Sequence, residues 1–182
     1  MKDRAKVIRL IKQVIVIGVI VFFIRGFIFI PMTIEGKSMQ NTIYQNDQVI
    51  FTRFGKIKRQ DIIIFQMPNK EVYIKRVIGL PGDTVQYKND HLYINGHEVK
   101  EPYLAKNIQD YHRSVAKSIP YTADFNAADI TGTKRIPANT YFVLGDNRNL
   151  SKDSRTFGVV KRSQIMGIVR MIYYPFNRFK IF

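Results

Sequence analysis

The chain has 182 residues, 46% hydrophobic and 13% aromatic, with 29 Lys+Arg against 14 Asp+Glu and a formal charge of +15. That length holds one domain and an appendage, and that apolar content excludes a chain disordered throughout. There is no cysteine, and the three histidines, His91, His97 and His112, stand in no H-E-x-x-H spacing; disulfides, thiol nucleophiles, thiolate zinc sites, iron–sulfur clusters and a zinc-protease motif are excluded, so any nucleophile is oxygen or nitrogen.

The first element is apolar on all sides. Residues 14–24 form eleven uninterrupted apolar positions counting Gly18, and after Arg25 and Gly26 the run resumes to Ile30 before Pro31. As a helix, residues 14–30 would span roughly 25 Å, close to a hydrocarbon core of about 30 Å, with Arg25 near enough to the end to snorkel. Lys2, Arg4, Lys6, Arg9 and Lys12 precede it against a single Asp3, the flank of a cytoplasmic N-terminus. A cleaved secretory signal needs small residues at −3 and −1, which residues 25–31 do not offer, and a buried core helix needs a polar face, which residues 14–24 lack. The expectation is a basic cytoplasmic segment over residues 1–12, a transmembrane anchor over 13–30, and an extracytoplasmic domain over 31–182. The first 30 residues carry six basic and one acidic residue, leaving 23 against 13 on the rest, and long domains translocate despite such charge.

The remainder predicts strands at residues 48–52, 61–66, 71–78, 84–87, 92–94, 140–144 and 167–174, each rich in Val, Ile, Phe or Tyr and bounded by turn residues. Asn95-Gly96 between two apolar stretches predicts a type I′ hairpin, and Leu80-Pro81-Gly82-Asp83 a tight turn. Residues 100–138 lose periodicity and read as an irregular excursion.

Ser38, in the Gly36-Lys37-Ser38-Met39 turn just after the apolar segment, is a candidate nucleophile only if a base stands beside it. His91 and His97 flank the hairpin and read as surface residues. A lysine kept neutral by burial can serve instead, and the strand at 71–78 contains one. Alternation puts Tyr73, Lys75 and Val77 on one face and Ile74, Arg76 and Ile78 on the other. Arginine stays protonated in proteins, so Lys75 is the candidate base and Arg76 is expected to accept Lys with activity retained. An exposed lysine would have about one neutral amine in 2,500 at pH 7, so the role demands a depressed pKa. A third cluster, residues 145–158, follows an apolar strand with many short polar side chains, the pattern of a tightly organised loop.

Together, Gly36-Lys37-Ser38-Met39 with Thr42, residues 73–83, and Gly145-Asp146-Asn147-Arg148 through Ser151, Asp153, Ser154, Arg155 and Gly158 resemble the motif set of the type I signal peptidases (peptidase family S26), particularly the Gram-positive kind with a single N-terminal anchor. The resemblance implies a mainly β fold, a transmembrane helix followed by an antiparallel β-rich catalytic domain. It implies a membrane-bound Ser-Lys serine endopeptidase, without metal or cofactor, that cleaves signal peptides from exported preproteins by way of an acyl-enzyme. Ser38 matches the nucleophile and, by its backbone N–H, an oxyanion-hole donor; Lys75 matches the general base; Ser151 matches the hydroxyl that orients the lysine; Asp153 and Arg155 match an ion pair supporting the loop. The implied partners are signal peptides and membrane lipid, with no nucleic acid and a monomeric chain. Two positions depart from the family. Asn41 stands where proline is usual, which is expected to loosen the turn behind Ser38, and Gly36 stands where some relatives carry a serine as second oxyanion donor. Competing readings are a self-cleaving Ser-Lys regulatory protease, which would need a DNA-binding N-terminus in place of the apolar segment, and a non-catalytic tethered basic β-domain that binds polyanions.

Overall fold

Runs of β-branched and aromatic residues separated by turn chemistry form an antiparallel framework in the computed structural model. It describes residues 2–27 and 29–182, with the side chains of residues 2, 3, 5, 8 and 20–27 outside the description. The chain order is α1 (Lys2–Phe27), β1 (Ile30–Thr33), β2 (Gln48–Thr52), β3 (Ile62–Gln66), β4 (Val72–Gly79), β5 (Val85–Lys88), β6 (His91–Ile94), β7 (His97–Val99), α2 (Ala105–Tyr111), β8 (Phe125–Asn126), α3 (Ala127–Thr131), β9 (Thr140–Leu144), α4 (Ser154–Phe157), β10 (Val160–Lys161), β11 (Ile165–Tyr174) and β12 (Lys180–Ile181). The larger sheet runs β1-β2-β11-β3-β4-β9-β10 with β12 on β11, and the smaller runs β7-β6-β5-β8.

Leu10, Ile11, Val14, Ile15, Val16, Ile17 and Val19 of α1 are all exposed, so the described part of this helix has no buried face and is not a core helix. Among the described residues no helix is long and apolar enough to cross a membrane. The anchor expected over residues 13–30 falls in part on residues 20–28, which lie outside the described side chains. α1 ends at Phe27, and Ile30 begins β1, an edge strand where Pro31 leaves no internal ladder bond unmade.

The seven expected strands all form, within two residues at their ends. Asn95 and Gly96 take φ of 53° and 81°, as a type I′ turn requires. Gly82 takes φ 87°, the Asp83 N–H donates to the Leu80 carbonyl at 3.1 Å, and the Asp83 carboxylate accepts the Leu80 N–H at 2.7 Å, closing the Pro-Gly turn. Within residues 100–138, the helices α2 and α3 and the strand β8 are too short to announce themselves by periodicity.

Strand β4 pairs with β3 on one side and β9 on the other, and is buried continuously from Ile74 to Gly79. Burial on both faces explains why two adjacent cations, Lys75 and Arg76, are both withdrawn from solvent, at 2% and 6% exposure. One core cluster joins Met39 and Ile43 to Val49, Phe51, Ile62, Ile64 and Ile74, so the turn carrying Ser38 is pinned by two side chains in the core. A second cluster, with Ile78, Val85, Tyr87, Leu92, Phe142 and Leu144, packs the smaller sheet against β4 and β9. A third holds Ile63, Phe65, Val77 and Val143 together beside Tyr73.

Candidate active site

Ser38 sits between β1 and β2 in a turn closed by Gln40 N–H on the Lys37 carbonyl at 3.1 Å and Ile43 N–H on the Met39 carbonyl at 2.8 Å. Lys75, in mid-β4 opposite Ile63, reaches it. The Lys75 Nζ lies 2.8 Å from the Ser38 Oγ and 2.9 Å from the Ile74 carbonyl, which accepts a proton from it, and 5.2 Å from the centre of the Tyr73 ring. Burial disfavours the ammonium form and pushes the Lys75 amine down to about 8, against the opposing pull of Asp153 and Asp146. The neighbouring Arg76 is not among the causes.

The loop after β9 closes around the serine. Asn147 N–H donates to the Ser38 carbonyl at 3.0 Å and the Asn147 side-chain amide to the Lys37 carbonyl at 3.2 Å. Ser151 stands here too. A Cβ built on Gly145 would fall 2.1 Å from Ser151 Oγ and 2.6 Å from the Ser38 carbonyl oxygen, so only glycine lets the loop approach this closely. The Ser151 hydroxyl is buried and has no hydrogen-bond partner among the described residues, and Lys75 is bonded to Ser38 and Ile74 without it.

Asp153, fully buried, caps α4, accepts the Gly145 N–H at 3.0 Å, and binds Arg155 through both oxygens at 2.9 Å. Arg155 continues to the Arg148 carbonyl at 2.7 Å, so this pair ties together the start, middle and end of the loop.

Other residues share the site without having been given roles from the sequence. Asp146 binds Arg76 through both its oxygens, at 2.9 and 2.6 Å, and accepts the Thr42 hydroxyl at 2.5 Å. Arg148 is buried against Glu101 at 2.6 Å. Asp146 and Arg148 stand in the quoted motif, where their density of polar groups was the signal; Glu101 lies in the aperiodic excursion, where none was available. His91 and Glu98 pair at 2.8 Å on the exposed face of the smaller sheet, as surface hairpin residues do.

Asn41 corrects the expected loosening of the turn. It holds φ 74°, a left-handed conformation closed to proline, and its side-chain oxygen accepts the Tyr44 hydroxyl at 3.0 Å. Asn41→Pro is therefore expected to destabilise the protein by more than about 1 kcal/mol and to lower its melting temperature by several degrees. A thermal melt equal to or above that of the unsubstituted protein would refute this.

Between β1 and β4, a cleft of about 220 Å³ is walled by Met32, Thr33, Ile34 and Glu35 on one side and Ile64, Val72, Tyr73 and Ile74 on the other. A larger, open depression of about 610 Å³ between Arg53, Met67, Lys161 and Met166 shares no residue with the surroundings of Lys75, whereas the smaller cleft is walled by Tyr73 and Ile74, whose ring and carbonyl the Lys75 amine faces. A half-buried hydroxyl facing a buried amine of lowered basicity can perform acyl transfer with the amine as base.

The family model described as signal peptidase, peptidase S26, matches residues 7–174. The chain is 45% identical over 164 residues to signal peptidase I of Bacillus caldolyticus, covering 88% of this chain and 87% of that one. It is 36% identical over 185 residues to signal peptidase IB of Staphylococcus aureus strain COL, covering 97% and 94%. The crystal structure of a signal peptidase I from Enterococcus faecalis V583 superposes with a TM-score of 0.57 at 45% identity, covering 63% of this chain and 97% of that one. An antiparallel β framework shared with that structure, and similarity running through nearly the whole sequence, establish that the chain belongs to the signal peptidase family, peptidase S26.

Proposed function

We propose that the protein is a membrane-anchored serine endopeptidase that removes signal peptides from exported preproteins, with Ser38 as nucleophile and Lys75 as general base. The observation that carries this reading is the buried Lys75 amine, of lowered basicity, 2.8 Å from the Ser38 hydroxyl. Membership of the signal peptidase family supports the substrate class.

The neutral amine takes the Ser38 proton as the oxygen attacks the scissile carbonyl, and the backbone N–H of Ser38 receives the developing oxyanion. The ammonium then gives its proton to the departing amine, freeing the mature N-terminus and leaving the signal peptide esterified to Ser38. Water attacks this ester with Lys75 again as base, releasing the carboxylate and restoring the serine. The Ser151 hydroxyl, unpartnered in its buried place beside Gly145, is assigned to orient the amine once Ser38 gives up its bond to Lys75, and the Asp153–Arg155 pair holds the loop in position. The cleft between β1 and β4 accepts the small side chains before the cleavage point.

Residues 13–30 anchor the chain, with residues 1–12 cytoplasmic and the catalytic domain on the far side of the membrane. The apolar run, the basic flank before it and the exposed apolar side chains of α1 support this. Anchoring brings the site to the bilayer from which signal peptides emerge, and the chain acts there as a monomer on peptide and lipid, without nucleic acid.

One preparation tests both parts. Full-length protein should pellet with membranes after alkaline carbonate and, once solubilised in detergent, cut a signal-peptide-bearing preprotein, whereas Ser38→Ala should release no mature product above background while melting at the same temperature. Release into the carbonate supernatant would overturn the anchor, and cleavage by Ser38→Ala within tenfold of the unsubstituted rate would overturn the nucleophile.

A further inference from the structure

The excursion after β7 reaches the turn that carries Ser38. Helix α2 buries a single side chain, and that side chain is polar: Asn107, at 5% exposure. Its amide nitrogen faces three oxygens, the Gln40 carbonyl at 3.2 Å, the Asp146 carbonyl at 3.1 Å and the Tyr121 hydroxyl at 3.1 Å. Gln40 is two residues past Ser38 in the nucleophile turn, and Asp146 is in the loop that carries Ser151. Tyr121 closes the arrangement from the other side, donating its hydroxyl proton to the Asp146 carbonyl at 3.0 Å and accepting the Arg148 N–H at 2.9 Å.

The orientation of the amide follows from its surroundings, because a flipped Asn107 would set its oxygen against two carbonyls that can only accept. That orientation leaves the Asn107 Oδ1 buried and without a partner among the described residues. Such an orphan opposes folding, a penalty that an apolar residue of similar shape would avoid. Packing alone therefore does not account for asparagine here; the bridge its nitrogen makes does.

We propose that Asn107 is a positioning residue for cleavage, a clamp that fixes the turn bearing Ser38 against the loop bearing Ser151, with Tyr121 as its second jaw. The excursion thereby sets how the hydroxyl is presented to Lys75 rather than how tightly substrate is held. This rests on the Ser38–Lys75 peptidase reading above.

The test is steady-state cleavage of a signal-peptide-bearing preprotein in detergent by the full chain, with kcat and KM measured separately and Ser38→Ala as blank. Asn107→Leu keeps the branched shape and removes the bridge. It should lower kcat by about 10- to 100-fold with KM within threefold, the scale of loss that slight misplacement of a catalytic group brings. Tyr121→Phe, which removes one oxygen and keeps the ring, should lower kcat about 3- to 10-fold on the same argument and remains informative if Asn107→Leu does not fold. Retention of kcat within threefold by Asn107→Leu, an unchanged kcat in Tyr121→Phe, or a loss confined to KM would each overturn the clamp. If the unsubstituted protein cuts no faster than Ser38→Ala, the peptidase reading falls and the clamp with it; a difference between those two isolates the question to Asn107.

Discussion

Lys75→Met is expected to abolish cleavage while raising the melting temperature at neutral pH. The two effects share one cause, the burial of the amine. With its pKa brought down to about 8, roughly one Lys75 in ten is neutral at pH 7, against about one in several thousand for an exposed lysine, and that is what makes it a usable base. The same burial opposes folding whenever the group must enter the core charged. In the unfolded chain the amine titrates at its ordinary value of 10.5, so between about 8 and 10.5 the unfolded state binds more protons and stability rises with pH. Below that window the full penalty is present, about 3 kcal/mol from the difference of the two values. Methionine removes it but also leaves the Ile74 carbonyl without the bond Lys75 gives it, so a net gain of about 1–3 kcal/mol is expected at pH 7. Thermal unfolding in detergent should show a rise of roughly 2–10 °C at pH 7. By pH 9.5 the relief of charge burial should be down to about half or less. Cleavage by the unsubstituted protein should climb about tenfold per pH unit below pH 8 and level off above it. Lys75→Arg should be as inactive as Lys75→Met, since it keeps a charge that cannot be given up. Activity in either variant within tenfold of the unsubstituted protein, or a Lys75→Met melt that does not rise at pH 7, would remove the buried-amine account.

What could be read from the sequence follows the length over which a physical signal repeats. The β-branched strands, the Asn95-Gly96 turn and the Pro81-Gly82 turn are local, and each was legible because two to eight adjacent residues determine it. The proximity of Ser38 and Lys75 is not local. It was accessible through the chemical need for a neutral base and through the resemblance of three separated motifs. The short elements β8, β10, β12 and α2 escape because two to seven residues are too few for a strand or helix period to repeat recognisably. Asn107, Tyr121 and Glu101 escape for another reason: their partners are backbone carbonyls, a tyrosine hydroxyl and a buried arginine 14 to 67 positions away, which no composition or spacing encodes. The left-handed Asn41 shows the opposite case. The sequence difference was visible, but its meaning depended on a backbone angle that only the folded turn supplies.

Strand alternation put Arg76 opposite Lys75 and so made Arg76→Lys look harmless; its surroundings predict a large loss of stability. The Arg76 guanidinium donates to both oxygens of Asp146, to the Gln60 carbonyl at 2.9 Å, and stacks with its carbon 3.8 Å from the centre of the Tyr103 ring. Burial by itself would lower the basicity of Arg76, and the hydrogen bonds and charge of Asp146 more than reverse that, so the pair is held together as ions in a dry place. An ammonium can meet one carboxylate oxygen but cannot span two, nor reach Gln60 and stack on the ring as well. Asp146, fully buried, would be left under-bonded, and the Thr42 hydroxyl that donates to it lies four residues from the nucleophile. Breaking a buried pair costs about 3–5 kcal/mol, and Lys recovers a fraction, so Arg76→Lys should lower stability by about 2–4 kcal/mol and the melting temperature by roughly 5–15 °C. Arg76→Met combined with Asp146→Leu should fall short of the sum of the two single losses by at least about 1 kcal/mol, because the double variant leaves no buried charge unpaired. A melt of Arg76→Lys within about 2 °C of the unsubstituted protein, or strict additivity in the double variant, would show that the pair is solvated and interchangeable, as an ordinary surface ion pair is.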